Sequence, residues 1–112
     1  MKQITAVVRP SKVDAIKEAL LAIDIVGMTI RDVRGFGRQK GQVERYRGNA
    51  FTVEFIPKVH ITTVVNDDKV EAAVNAISNA ARSGEIGDGK IFVSPVDQVV
   101  RIRTGEQGSA AL

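Results

Sequence analysis

Residues 87 to 90, Gly87-Asp88-Gly89-Lys90, carry the types best suited to holding an anion. Glycines let backbone N–H groups converge on a ligand without Cβ obstruction, and Lys90 adds a point charge suited to phosphate. The same residues also suit a tight turn, the commoner role of Asp-Gly, and no Walker pattern GxxxxGK[ST] is present. A second cluster, Gly37-Arg38-Gln39-Lys40-Gly41, joins flexible backbone to two cations and an amide. Arg101 and Arg103 form a third. Two residues apart in a strand, they would project from one face about 7 Å apart and clamp a polyanion if another surface completed the cleft. A sheet edge protected by charge explains that pair equally well in isolation. Together the three elements point to a phosphate-bearing ligand.

Other chemistry finds no support. The chain lacks cysteine, which excludes disulfides and thiolate metal sites, and its one histidine, His60, cannot anchor a typical zinc site. Ser83 and Ser94 have no histidine base in a triad pattern, and Asp67-Asp68 reads as a helix start. With no catalytic set, a binding protein that changes shape fits better than an enzyme.

Elements must position these groups. Residues 3 to 8 are short and β-branched, and Pro10 sits where a helix can begin. Val13, Ile16, Leu20 and Ile23 then recur at helical spacing up to Asp24, with Gly27 as the stop. Residues 28 to 36 read as a second strand. Residues 56 to 65 read as a central strand buried on both faces. Asn66 or Asp67 can cap a second helix striped by Val70, Val74, Ile77 and Ala81 and ended by Gly84. Ile91-Phe92-Val93 and a last extended piece bearing Val100 and Ile102 opposite Arg101 and Arg103 complete a β-α-β-β-α-β order.

Two right-handed strand-helix-strand units in that order predict an α+β, ferredoxin-like antiparallel sheet with both helices on one face. Val7 and Val64 fall on the other face, which we expect to be too apolar for water and to meet further copies. Between the second and third strands lie residues 37 to 54, far longer than a hairpin loop of roughly two to five residues. The first part of this segment is almost wholly polar, so it cannot bury itself, and a solvated β-ribbon without a task is the bland reading.

A chain of 112 residues is sized for one domain over residues 1–112, and a net charge of +3 favours anionic partners without resembling a polybasic arm. No stretch approaches the roughly 18 apolar residues of a membrane helix, and the N-terminus does not read as a signal peptide. A cytoplasmic location is expected.

Taken together, Gly35-Phe36-Gly37-Arg38-Gln39-Lys40-Gly41, Tyr46-Arg47-Gly48, Phe55-Ile56-Pro57-Lys58, the run Ser83 to Val93 and Arg101-Ile102-Arg103-Thr104-Gly105 resemble the PII nitrogen-regulatory signalling proteins. The resemblance covers the whole chain. It implies a ferredoxin-like homotrimer whose inter-subunit clefts bind ATP or ADP competitively and, with ATP and Mg²⁺, 2-oxoglutarate. Residue by residue, it implies that Gly37, Arg38, Gly87, Asp88, Gly89 and Lys90 hold phosphates from one subunit and that Arg101 and Arg103 arrive from a neighbour. Thr29 and Val64 would flank adenine. Gln39 would coordinate Mg²⁺, and Lys58 and Arg9, with Gln39, would line the 2-oxoglutarate pocket. Residues 37–54 would be the T-loop, 82–90 the phosphate-binding B-loop and 101–112 a C-terminal segment. Through Arg45, Tyr46, Arg47 and Phe51 the T-loop would meet an ammonium channel or enzymes and regulators of nitrogen assimilation, with a membrane reached only through such a channel.

Three departures stand out against that resemblance. Phe51 has no hydroxyl where many relatives carry a uridylylated tyrosine, and Asn49 replaces a serine phosphorylated in some. Thr62 replaces a glutamate near the adenine, and its hydroxyl reaches less far. An RNA-recognition module shares the βαββαβ order, and Arg47-Gly48-Asn49-Ala50-Phe51 partly matches its RNP1 pattern. Asn49, Thr52 and Glu54 break that pattern and the first strand has no aromatic, so nucleic acid is not the expected partner. A small hydrolase using Arg9 or Arg38 as an anion clamp lacks a partner to activate its nucleophile.

Overall fold

The computed structural model describes residues 1–37, 42–46, 49–53 and 55–112, with 42–46 and 49–53 described as backbone only. The expectations placed on Arg38, Gln39 and Arg47, and on the side chains of Arg45, Tyr46 and Phe51, lie outside the described residues.

Strand β1 (Lys2–Val8) alternates strictly, burying Ile4, Ala6 and Val8. A single 3-10 turn over Pro10–Lys12 leads into α1 (Val13–Leu21), whose Ile16 and Leu20 are fully buried. Strand β2 (Thr29–Gly35) follows, then β3 (Gln42–Tyr46), β4 (Asn49–Val53) and the long β5 (Ile56–Val65). Helix α2 (Val70–Ala81) and strand β6 (Lys90–Pro95) complete the main elements.

The four-stranded sheet has the order β2-β5-β1-β6, antiparallel throughout, which is the ferredoxin-like arrangement expected from the β-α-β-β-α-β order. Ile4, Ala6 and Val8 of β1 and Val59, Ile61 and Val65 of β5 pack with Ile16, Leu20, Ala73, Ile77 and Ala81 of the helices into one core. Period-two burial in the strands and a stripe in each helix are what an apolar layer between sheet and helices requires.

The structure corrects several expectations. Helix α1 is not ended by Gly27: Asp24 takes the left-handed conformation at φ 63°. Ile25 N–H donates to the Leu20 carbonyl at 3.0 Å and Asp24 N–H to that of Leu21 at 3.0 Å, the paired bonds of a Schellman motif. Aspartate does here what glycine usually does, so the sequence pointed three residues too far. Neither Asn66 nor Asp67 caps the second helix with its side chain. Asp67 pairs with the N-terminal ammonium at 3.0 Å and Asn66 accepts from the Ser109 hydroxyl at 2.9 Å.

Residues 37–54 contain a two-stranded ribbon, β3 with β4, from Gln42↔Val53 to Tyr46↔Asn49. Phe36 and Phe55 meet at its base with ring centroids 6.1 Å apart. The last extended piece is absent as a strand. Val100 makes one bridge to Gln107, and residues 101 to 105 form a turn in which Gly105, at φ 75°, donates to the Arg101 carbonyl at 2.8 Å. Val-Arg-Ile-Arg alternates like a strand, but Thr104-Gly105-Glu106 folds the chain back before a ladder can form.

The sheet face away from the helices is also more polar than expected. Alternation and register place Gln3, Thr5 and Val7 of β1 there, with Lys58, His60, Thr62 and Val64 of β5. The two valines are outnumbered on both central strands.

Substitution at Asp24 tests the helix terminus. Asp24→Gly relieves the left-handed Cβ contact and raises stability by up to about 1 kcal/mol, whereas Asp24→Val lowers it. Urea denaturation of both variants reads the two signs.

Candidate functional site

The loop between α2 and β6 is built around one carboxylate. Asp88 Oδ2 accepts from the backbone N–H groups of Ser83 at 2.8 Å and Gly84 at 2.9 Å, and Oδ1 accepts from the Ser83 hydroxyl. Arg9 Nε donates to Oδ1 at 3.4 Å. These donors, the Ser83 hydroxyl foremost, hold the Asp88 carboxyl far below the usual carboxylate range, against a smaller opposing effect of desolvation. Gly84, Gly87 and Gly89 supply the positive φ values, 88°, 104° and 102°, that wrap the backbone around it.

Gly89 is required on a second count. A Cβ there would lie 1.7 Å from the Val7 carbonyl oxygen, because the loop rests directly on β1 as it enters β6. Arg9 Nη2 donates to the Ile86 carbonyl at 2.8 Å and Lys58 Nζ to the Gly87 carbonyl at 2.7 Å. Burial foremost, then the Arg9 charge, lowers the Lys58 pKa, with Asp88 working in the opposite direction. Two cations from β5 and the end of β1 therefore converge beneath Gly87, and Lys90 opens β6 beside them.

Thr29, Thr62 and Val64 line a different cavity, of 610 Å³, together with Asn66, Ser109 and Leu112. Thr63, almost wholly buried, also lines it and donates to the Gly27 carbonyl at 2.6 Å. The C-terminal segment closes one side. Arg101 reaches that segment, donating to the Leu112 carbonyl at 3.1 Å and to Glu106 at 3.0 Å, while Arg103 sits in the exposed turn.

The anticipated residues thus fall into two groups. Gly87, Asp88, Gly89, Lys90, Arg9 and Lys58 come together at one place, and exposed Gly37 follows the β2 end whose Val33 pairs with Lys58. Thr29 and Val64 come together at the other, with Arg101 against the tail that lines it. Arg101 and Arg103 do not share a strand face, since the turn separates them. Asp88 turns its carboxylate into the loop, which leaves backbone N–H groups as what that stretch offers a ligand. Ser83 and Gly84, as the donors that hold Asp88, were not singled out from sequence as site residues. An aspartate five and four residues beyond a serine and a glycine at a helix end is the signal that would have found them. Among the described residues no three His, Cys, Asp or Glu side chains cluster as a metal site.

Two measurements probe this loop. Gly89→Ala costs more than about 1 kcal/mol because both φ and contact forbid the methyl. Gly37→Ala, with open space around its Cβ, stays within about 0.5 kcal/mol in the same denaturation assay. Asp88 contributes stability above the unfolded carboxylate pKa of about 3.9, and this contribution is lost as pH falls toward its depressed folded value. Asp88→Asn is accordingly less stable at pH 7, and the gap to the parent narrows below about pH 4 in a pH series of denaturation curves.

Comparison with known proteins fits this arrangement. The family model described as nitrogen regulatory protein P-II matches residues 1–106. Proteins named nitrogen regulatory protein P-II from Microchaete diplosiphon and Nostoc punctiforme are 59% and 58% identical over 112 residues, covering all of both chains in each case. The protein of that name from a Synechocystis species is 58% identical over the same full span. Among the described residues no helix is long and apolar enough to cross a membrane. With the fold, the glycine loop and full-length similarity in agreement, the chain belongs to the nitrogen regulatory protein P-II family.

Proposed function

We propose that this chain forms a homotrimer that binds ATP or ADP in clefts between subunits and, with ATP and Mg²⁺, also 2-oxoglutarate. The observation that carries this reading is the separation of the two residue groups. Lys90 begins β6 and Thr29 begins β2, and these are opposite edges of the sheet. Three strand spacings put about 14 Å of sheet between the edges. A ligand whose phosphates rest on the glycine loop and whose base rests between Thr29 and Val64 is best accommodated by the loop of one copy and the cavity of the next.

In this reading the loop's backbone N–H groups and Lys90 hold the phosphates, with Gly37 and Arg38 beside them. Arg101 and Arg103 of the neighbouring copy close on the phosphates, and Arg101 exchanges its contacts with Glu106 and the Leu112 carbonyl to do so. Arg9 and Lys58, already paired with loop carbonyls, supply the positive charge for a 2-oxoglutarate carboxylate. Gln39 would coordinate Mg²⁺ there; the ion neutralises phosphate charge when bound.

The ribbon of β3 and β4 springs from the same end of the sheet as Lys58 and the glycine loop. Ligands with different affinities for its arrangements shift their populations, and its tip presents the result to targets. Arg45, Tyr46, Arg47 and Phe51 are the residues we assign to target contact, with an ammonium channel or enzymes and regulators of nitrogen metabolism as partners in the cytoplasm. Phe51 carries no hydroxyl to uridylylate, so signalling runs on ligands at this position. We read the role as binding and not catalysis. The RNA-module alternative is disfavoured because the two central strands present no Phe, Tyr or Trp on the open face.

Titration calorimetry with ATP, ADP and Mg-ATP plus 2-oxoglutarate, alongside sedimentation, tests the proposal. Lys90→Ala weakens ATP binding about tenfold or more, the worth of a charged hydrogen bond, while the oligomer persists. Uptake of 2-oxoglutarate that ignores ATP, or a chain that sediments as a monomer, would overturn it.

A further inference from the structure

The open face of the sheet holds a second concavity, which shares Thr29 and Thr62 with the cavity assigned to the base and adds Gln3, Thr5, Arg31 and His60. It measures 390 Å³ and is lined by Gln3, Thr5, Thr29, Arg31, His60 and Thr62, all polar and none acidic. The register extends this pattern across the face. Arg31 stands opposite His60, Thr29 opposite Thr62, Thr5 opposite Thr62 and Phe92, and Val7 opposite His60 and Lys90. Counting every position of that parity on the four strands gives Arg31, Lys58 and Lys90 as cations and no carboxylate.

The donors in the concavity are also under-used. Arg31 Nη2 lies 3.2 Å from His60 Nδ1. Guanidinium only donates, so Nδ1 accepts, and the imidazole proton sits on Nε2 as a further donor. Thr5 and Thr62 hydroxyls are 3.5 Å apart, and Gln3 Nε2 is 3.5 Å from the Thr5 hydroxyl, both at the outer limit of a hydrogen bond. Hydroxyls can donate or accept, so a lining of three threonines, an amide, an imidazole and a guanidinium can turn wholly to donation.

From this we infer that the concavity is a binding site for a small oxyanion of the phosphate class, taken up free and not as the tail of a nucleotide. Arg31 supplies the charge and a planar fork, His60 orients that fork, and the hydroxyls of Thr5 and Thr62 complete the donor set. A site of this composition needs an acceptor-rich ligand, because nothing else in the lining offers negative charge.

Calorimetric titration with inorganic phosphate, against sodium chloride at matched ionic strength, is the test. The unmodified chain gives saturable binding. Arg31→Gln weakens it at least about tenfold, and Thr5→Val, which keeps shape and removes one donor, weakens it about threefold to tenfold. Lys17→Ala, which removes an exposed cation from α1 on the helix side of the sheet, leaves phosphate affinity within about twofold of the parent. No saturable binding in the unmodified chain overturns the inference. So does phosphate binding lost in Lys90→Ala and kept in Arg31→Gln, which would place the ion on the glycine loop. Should Arg31→Gln fail to fold, an unchanged affinity in Thr5→Val would overturn it equally.

Discussion

The approach of Gly89 to the Val7 carbonyl is the constraint on which the rest of the molecule depends. It fixes where β6 begins, because a loop that could not rest on β1 would enter the sheet in another register. That register puts Lys90 opposite Val7 and carries Ile91 toward the core. The contact would be useless without Asp88 next to it. A carboxylate that gathers two backbone N–H groups, a hydroxyl and a guanidinium holds the loop's shape with no large apolar core of its own. Glycine and aspartate alternate here for two reasons, access and bracing, and the same arrangement draws Arg9 and Lys58 beneath the loop.

Antiparallel order then decides what one copy can and cannot do alone. In the order β2-β5-β1-β6 the glycine loop and the Thr29 cavity occupy opposite edges, and no rearrangement short of breaking the sheet brings them together. On the nucleotide reading proposed above, a single chain thus carries two parts of a site, and association of copies is the economical way to join them. The C-terminal turn fits the same logic. Arg101 is held against Glu106 and the tail carbonyl instead of lying in a strand, so its charge stays close to the cavity that Leu112 lines.

Much of this was legible in the residues. The stripes Val13, Ile16, Leu20, Ile23 and Val70, Val74, Ile77, Ala81 and the alternation in 56–65 lead straight to the two helices and the central strand, because burial imposes periods of 3.6 and 2. What failed had local causes. Asp24 took a left-handed position normally given to glycine. Val100 to Arg103 alternated like a strand but were followed by Thr104-Gly105-Glu106, whose hydrogen bonds close a turn. The site was legible as residue types and not as geometry: nothing in Gly87-Asp88-Gly89-Lys90 says that the carboxylate faces inward, since that depends on Arg9 and Ser83 arriving from elsewhere.

The open face is where the sequence reading went furthest astray, and the reason bears on assembly. Val7 and Val64 suggested an apolar surface, yet Gln3, Thr5, His60 and Thr62 lie between them. If copies meet across this face, like charges from Arg31, Lys58 and Lys90 come together with no carboxylate on the same face to offset them. Repulsion among such charges falls with screening and with burial of counter-charge, and water alone offsets it poorly once the surfaces close. A face of this composition therefore associates best when something negative enters with it. The oxyanion inferred for the concavity meets that requirement.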